Sequence, residues 1–173
     1  MPEERQPTLE PVDEEVDHVR GPSAGRLILE YGDYECPYSR RAFREIECVE
    51  RESGEGVRFA FRHFPLTQMH PHALAAAEAA EAAALQGRFW DMHGPLFHRQ
   101  NDDDLRRYAA GLGLEVALFE RDRVGAGVLG RVRRDVDSAM TSGEVRCTPT
   151  LFINGVLHRG RYEAAVLLEA LAR

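Results

Sequence analysis

The chain has 173 residues, is 43% hydrophobic and 29% charged, and carries a formal net charge of −7. This length and composition are typical of one compact domain that folds without disulfides or a metal. All 22 basic residues are Arg, and an acidic chain with no dense Arg block is not expected to bind nucleic acid through phosphate contacts. No segment approaches the roughly 18 uninterrupted apolar residues of a membrane span, so no membrane association is expected.

The N-terminal sequence and the cysteine count both indicate the cellular compartment in which the protein is expected. The N-terminus has neither the basic nor the apolar region of a secretory signal. Three cysteines are too few, and odd in number, for a secreted disulfide framework. We therefore expect a cytoplasmic protein in which a notable cysteine is reactive rather than structural.

The chain divides into an arm, a core in two parts and an insertion. Residues 1–24 hold four prolines and seven acidic residues, which predicts an extended or disordered N-terminal arm. Within 25–70, a buried strand at 27–32, a helix at 37–53 with Pro at its first turn, and an alternating strand at 57–64 predict a β-α-β unit.

Residues 71–142 are helical in character, and 143–173 return to the core. The predicted helices of the insertion lie at about 72–86, 88–99, 103–110, 115–123 and 128–141. Asn154-Gly155 favours the turn of a hairpin over 150–158, and a helix closes the chain at about 162–172. The expected fold class is α/β, with the order β-α-β, a helical insertion after the second strand, then β-β-α.

Cys36-Pro37-Tyr38-Ser39 lies where a buried strand gives way to a helix. The free backbone N–H groups and partial positive charge of a helix N-terminus stabilise an anion, so a thiol there is expected to be a reactive thiolate. Ser39, one turn further on, could offer a hydroxyl donor to that sulfur. The alternative is that Cys36 only packs.

Three segments, 27–39, 61–66 and 145–155, resemble DsbA-type oxidoreductases of the thioredoxin fold. The sequence is most similar to the cytosolic branch that includes the thioredoxin-like domains fused to some sodium/proton antiporters. The resemblance extends over about 16–172. It implies a thioredoxin βαβ-ββα core with a helical domain inserted after the second strand, which agrees with the element order above.

The resemblance also assigns site residues. Cys36 corresponds to the nucleophilic first cysteine of the family, with Pro37 and Tyr38 beside it in the substrate-binding region. Thr148-Pro149 corresponds to the loop whose cis-proline lies against that sulfur and pairs with substrate backbone. Glu30, on the buried strand, corresponds to the family's buried acid that relays protons; the alternative is a surface glutamate at a sheet edge.

Two positions depart from the family pattern. Ser39 replaces the resolving cysteine, so the usual Cys-x-x-Cys disulfide cannot form. Cys147 stands where relatives usually carry Gly, and it would lie in the loop facing Cys36; it is either a redox partner or a small residue filling space. Cys48 is excluded as a partner of Cys36, because 12 residues of helix separate them by about 18 Å, beyond the roughly 4.4–6.8 Å of a disulfide.

The sequence therefore predicts a monothiol thiol–disulfide oxidoreductase that forms mixed disulfides with protein thiols or disulfides, or with glutathione. No cofactor is expected beyond glutathione as a possible co-substrate. No metal is expected, since His70 and His72 are two apart and are more typical of capping or packing. The alternatives are a glutaredoxin-like glutathione-dependent or iron–sulfur protein, a kappa-type glutathione transferase, and a non-catalytic peptide-binding or regulatory module.

Overall fold

A computed structural model describes residues 9–173 of the chain. The described residues form a five-stranded sheet flanked by helices on both faces. Its strands are β1 (His18–Arg20), β2 (Arg26–Gly32), β3 (Val57–His63), β4 (Thr150–Ile153) and β5 (Val156–Leu157). Its helices are α1 (Pro37–Ser53), α2 (Ala73–Leu85), α3 (Phe89–Leu96), α4 (Asp102–Gly111), α5 (Val116–Arg123), α6 (Ala126–Ser142) and α7 (Ala164–Leu171), with one short 3₁₀ turn at Gly54–Gly56.

The strand order is β1-β3-β2-β4-β5, and only β2 and β3 run parallel. The predicted β-α-β unit, the helical insertion and the β-β-α unit follow in that order, so the predicted fold class is confirmed. At the centre of the sheet, Glu30 of β2 lies between Phe61 of β3 and Leu151 of β4. This register places the end of β2 beside the segment that precedes β4.

Local sequence explains where the elements begin and turn. Pro37 opens α1, where its missing N–H costs no helical hydrogen bond. Ile46 and Val49 are buried on the inner face of α1, as the apolar spacing predicts. Asn154 and Gly155 both have positive φ, 49° and 82°, which suits the tight turn between β4 and β5.

One apolar core joins the sheet to the predicted insertion. Phe59 and Phe61 of β3 pack in the same buried cluster as Met92 and Phe97 of the α3 region and Leu105 of α4. A second cluster, on the other face of the sheet, includes residues of β2, β4 and α6. The helices at 71–142 therefore share their core with the strands rather than packing separately.

Part of the predicted extended or disordered N-terminal arm is packed against the sheet. β1 pairs with β3, and Arg62 of β3 donates to both carboxylate oxygens of Asp17 at 2.9 and 2.8 Å. Arg62 also donates to the carbonyl oxygens of Glu10 and Pro11. The acidic composition suggested a solvated segment, but Asp17 is the partner of a buried cation that lies 45 residues away. Residues 1–8 of the predicted arm lie outside the described residues.

None of the helices in residues 9–173 combines the length and apolarity needed to cross a bilayer.

Candidate active site

Cys36 is the residue that caps the N-terminus of α1. Its backbone is extended (φ −71°, ψ 123°), and Pro37 follows it as the first helical residue. Its thiol donates a hydrogen bond of 3.3 Å to the carbonyl oxygen of Thr148. The residue is 3% exposed. A thiol that lost its proton here could accept from the N–H groups of the first helical turn, as N-cap side chains do.

The segment before β4 lies against this cysteine. The Thr148-Pro149 peptide bond is cis. Thr148 is buried, and its hydroxyl oxygen has no hydrogen-bond partner among the described residues. Thr150 donates from its hydroxyl to the carbonyl oxygen of Cys147 at 2.7 Å, which closes the turn. The loop therefore presents the Thr148 carbonyl to the Cys36 sulfur.

Glu30 is fully buried in the central strand β2. Neither of its carboxylate oxygens has a hydrogen-bond partner among the described residues. Burial raises the pKa of Glu30 to about 8, against a weaker opposing effect of the Arg20 charge. The carboxyl group therefore holds its proton at neutral pH. It is a buried acid, as the sequence predicts, and not a surface glutamate at an edge.

Ser39 occupies the position of the missing resolving cysteine and is fully buried. Its hydroxyl oxygen accepts a hydrogen bond of 3.3 Å from the backbone N–H of Asp33. Among the described residues, no hydrogen bond joins Ser39 to the Cys36 sulfur, so the expected donor to that sulfur is not found. The Ser39 hydroxyl is instead hydrogen-bonded to the backbone of the loop between β2 and α1.

The other two cysteines differ in their surroundings. Cys147 is exposed, and all three cysteines are free, so no disulfide joins Cys36 to Cys147 in this structure. Cys48 is half-buried on α1, where Arg51 lies 3.0 Å from its sulfur. The structure therefore keeps Cys147 beside the Thr148-Pro149 loop as a thiol reachable from solvent.

Two carboxylates in the loop before Cys36 bind the segment that precedes α2. One oxygen of Asp33 accepts from Leu66 N at 2.9 Å and lies 2.7 Å from His70 Nδ1. Glu35 accepts from the backbone N–H of His72 at 2.7 Å, and its second oxygen lies 3.0 Å from His72 Nδ1. His70 and His72 thus bind separate carboxylates, and each histidine helps to pack its segment against the loop before Cys36.

Sequence reasoning missed these carboxylates. Asp33 and Glu35 stand directly before Cys36, and His70 and His72 follow Pro65. Two acids and two histidines with the same spacing of two residues were the available signal, but nothing in the sequence says that the two segments meet.

Exposed aromatic surface adjoins the site. Tyr38 is 63% exposed in the first turn of α1. Burial raises the pKa of Tyr162 against the opposing charge of Arg41. The Arg41 guanidinium lies 5.9 Å from the centre of the Tyr162 ring. Tyr38 therefore presents exposed aromatic surface in the helical turn that follows Cys36.

Cys36 at the start of α1 lies beside the cis Thr148-Pro149 loop, and Glu30 is buried in the central strand β2, as the resemblance to the DsbA-like thioredoxin-fold class implies. A family profile described as Thioredoxin matches residues 13–172, and the chain belongs to this family. The predicted family and fold are thereby confirmed.

Parts of sodium/proton antiporters are similar to this chain in sequence. The Na(+)/H(+) antiporter NhaA 1 of Mycolicibacterium gilvum is 46% identical over 169 residues, which are 94% of this chain and 27% of the antiporter. The Na(+)/H(+) antiporter NhaA 3 of Salinispora tropica is 47% identical over 171 residues, 93% of this chain and 25% of that protein. The chain thus spans about a quarter of the length of these relatives.

Solved structures agree with this assignment. A thioredoxin-like oxidoreductase from Silicibacter pomeroyi DSS-3 superposes with a TM-score of 0.81 at 27% identity, covering 92% of each chain. BdbD from Bacillus subtilis gives a TM-score of 0.80 at 20% identity, covering 96% of this chain and 94% of its own. The first supports the general class of thiol–disulfide oxidoreductases, and the second shows the fold alone.

Proposed function

We propose that the protein is a thiol–disulfide oxidoreductase in which Cys36 alone forms the mixed disulfide with substrate. The observation that carries this proposal is the Cys36 sulfur at the helix N-terminus, 3.3 Å from the Thr148 carbonyl. The substrates are disulfides of proteins or of glutathione, and no bound cofactor is required. The cysteine count favours a reducing compartment, the cytoplasm.

The proposed reaction begins with loss of the Cys36 proton. The thiolate exchanges its bond to Thr148 for the N–H groups of Tyr38 and Ser39, the donors that remain because Pro37 has none. It attacks one sulfur of the substrate disulfide, a Cys36–substrate disulfide forms, and the other sulfur leaves as a thiolate that takes up a proton. Glu30, protonated at neutral pH, is the buried group from which a proton can be relayed.

Release of the substrate needs a second thiol. Ser39 cannot supply it, so we assign this step to Cys147, which is exposed beside the loop, or to an external thiol such as glutathione. If Cys147 attacks Cys36, the substrate leaves as a thiol and a Cys36–Cys147 disulfide forms. If glutathione attacks Cys36, the enzyme carries the mixed disulfide with glutathione.

The test is to trap the mixed disulfide with a glutathionylated peptide and locate it by mass spectrometry. We expect the adduct on Cys36, its loss in Cys36→Ser, and its retention in the matched control Cys48→Ser, whose sulfur lies further along the same helix. Comparison of wild type with Cys147→Ser in the absence of added glutathione distinguishes the two release routes. If Cys147 resolves the adduct, more of it accumulates in Cys147→Ser; if an external thiol does, both proteins retain it equally. A Cys36→Ser protein that retains full exchange activity would refute the proposal.

The competing class is a module that binds peptides without turnover. Alkylation near pH 6 separates the two, because a thiolate reacts with iodoacetamide and a thiol does not. We expect Cys36 to react at least tenfold faster than Cys48 in the same protein. Equal rates, together with no exchange, would favour the binding module.

A further inference from the structure

Two histidines and a glutamate converge at a point distinct from the cysteine site. His18 of β1 and His63 of β3 each place their Nε2 atom 2.7 Å from the same oxygen, Oε1 of Glu81 on α2. The three potential ligand atoms all lie within 4.8 Å of one another. Three elements that are far apart in sequence therefore direct one ligand atom each to a common centre.

The cluster is enclosed by aromatic side chains and is largely shielded from water. The His63 side chain is 1% exposed and that of Glu81 is 6% exposed. The His18 ring stacks on Phe89 with a centroid separation of 3.5 Å and an angle of 8°. The His63 and Phe61 rings lie nearly perpendicular, with their centres 5.4 Å apart. Aromatic rings thus pack against both imidazoles.

The donor set suits one class of metal ion. Two imidazole nitrogens and one carboxylate oxygen are ligands that Zn²⁺ accepts, whereas Ca²⁺ and Mg²⁺ prefer oxygen alone. Tetrahedral bonds of about 2.0–2.2 Å place ligand atoms about 3.3 Å apart. The 2.7 Å separations would therefore open by about 0.6 Å, within reach of side-chain adjustment.

The site can also be reached from solvent. The His18 side chain is 16% exposed, at a groove of about 380 Å³ that Phe89 and Trp90 also line.

We propose that His18, His63 and Glu81 bind one Zn²⁺-class divalent ion, with water as the fourth ligand. Binding requires each Nε2 to present its lone pair to the metal, with the ring proton carried on Nδ1. The ion would tie β1 and β3 to α2. The expectation of no metal depended on His70 and His72, and these three ligands gave no sequence signal because 63 residues separate His18 from Glu81.

The probe is Co²⁺ alone, followed by its visible d–d absorption in a protein carrying Cys36→Ser, Cys48→Ser and Cys147→Ser. Removing the cysteines excludes thiolate sites and makes the result independent of the proposed redox function. We expect one Co²⁺ per chain, competition by Zn²⁺, and a higher melting temperature with metal. Absence of a d–d spectrum would overturn the proposal.

Variants locate the site. His18→Gln, at a partly exposed position, and Glu81→Gln should each weaken Co²⁺ binding at least tenfold, whereas the control His98→Gln, at an exposed position, should not. Should a ligand variant fail to fold, paramagnetic shifts in the unsubstituted histidines decide the matter. Large shifts at His18 and His63 but not at His98 support the site, and the reverse pattern contradicts it.

Discussion

Among single residues, Glu30 has the most unusual environment. It is fully buried in β2, with neither carboxylate oxygen hydrogen-bonded among the described residues, and its pKa rises to about 8. An uncompensated buried carboxyl costs stability, and such groups are concentrated at functional sites. Its cost to the fold and the proton that it keeps at neutral pH are thus two results of the same burial.

The raised pKa of Glu30 predicts that its contribution to stability falls as pH rises. Its pKa rises from 4.5 to about 8 on folding, so between these values the folded chain keeps a proton that the unfolded chain has lost. The Glu30 contribution to the free energy of unfolding should therefore fall as pH rises from 5 to 8, by up to about 1.4 kcal/mol per pH unit. Denaturant titrations of wild type and Glu30→Gln at several pH values measure this difference.

The control for that experiment is Glu52→Gln, at an exposed position of α1. We expect Glu30→Gln to gain stability relative to wild type as pH rises, and Glu52→Gln to follow wild type throughout. Parallel curves for all three proteins would contradict the raised pKa.

The lowered pKa of Asp17 predicts the opposite pH dependence of stability: a loss of stability as the solution becomes acidic. Burial would raise the pKa of Asp17, but hydrogen bonds from Arg62 and Arg134 outweigh it and lower that pKa to about 2. Its stabilisation is fully present above about pH 4 and is lost as pH falls through about 2. At pH 7, Asp17→Asn leaves the buried Arg62 without its counterion and should cost about 3–5 kcal/mol.

Urea denaturation measures this cost, with Asp137→Asn, at an exposed position of α6, as the matched control. The control should change stability by less than about 0.5 kcal/mol. A loss below about 1 kcal/mol in Asp17→Asn would show that Arg62 does not depend on Asp17 as its counterion.

Among the elements, α1 positions both Cys36, at its N-cap, and Ser39, in its first turn. Ser39→Cys should restore a dithiol on this turn. Its side chain would replace a buried hydroxyl that accepts from Asp33 N, so a modest loss of stability is expected. Oxidation should then form a disulfide with Cys36, and the rate of insulin reduction by dithiothreitol should rise at least tenfold.

Mass spectrometry of the oxidised variant checks the pairing with Cys36. Cys48→Ser in the same background should change neither result, because its sulfur lies further along the helix. An oxidised Ser39→Cys protein with three or more free thiols would contradict the expected geometry of the first turn.

The elements were largely predictable from the sequence, and their contacts were not. Periodicity gives α1 and β3, and the Asn154-Gly155 turn gives the β4–β5 hairpin, because these signals are local. β1 was missed, since three residues in an acidic, Pro-rich segment carry no clear alternation and only pairing with β3 defines them.

For the site, too, the sequence predicts individual residues but not their contacts. Cys36, Glu30 and the Thr148-Pro149 loop were predicted from local sequence and from the family resemblance. The pairing of Asp33 with His70, and of His18 with Glu81, depends on tertiary contacts between segments 37 and 63 residues apart. The bond of Ser39 to Asp33 N likewise follows from the loop conformation and not from residue type.

For the whole molecule, the shared core predicts a single unfolding transition. The only tryptophan, Trp90, lies in α3, and its ring centre is 5.7 Å from that of Phe59 in β3. Its fluorescence therefore reports on the contact between the helical layer and the sheet. Thermal unfolding followed by Trp90 fluorescence and by far-ultraviolet circular dichroism should give one common midpoint. Separate midpoints would mean that the 71–142 helices unfold on their own.

The bonds from Asp33 and Glu35 to the segment before α2 couple two parts of the fold. If the residues preceding Cys36 move away from that segment, the bonds to the Leu66 and His72 amides must break. Displacing the loop before Cys36 and freeing the start of the helical layer are then one motion with one energetic cost. Deuterium should consequently reach the Leu66 and His72 amides at a pace set by how often these bonds open together.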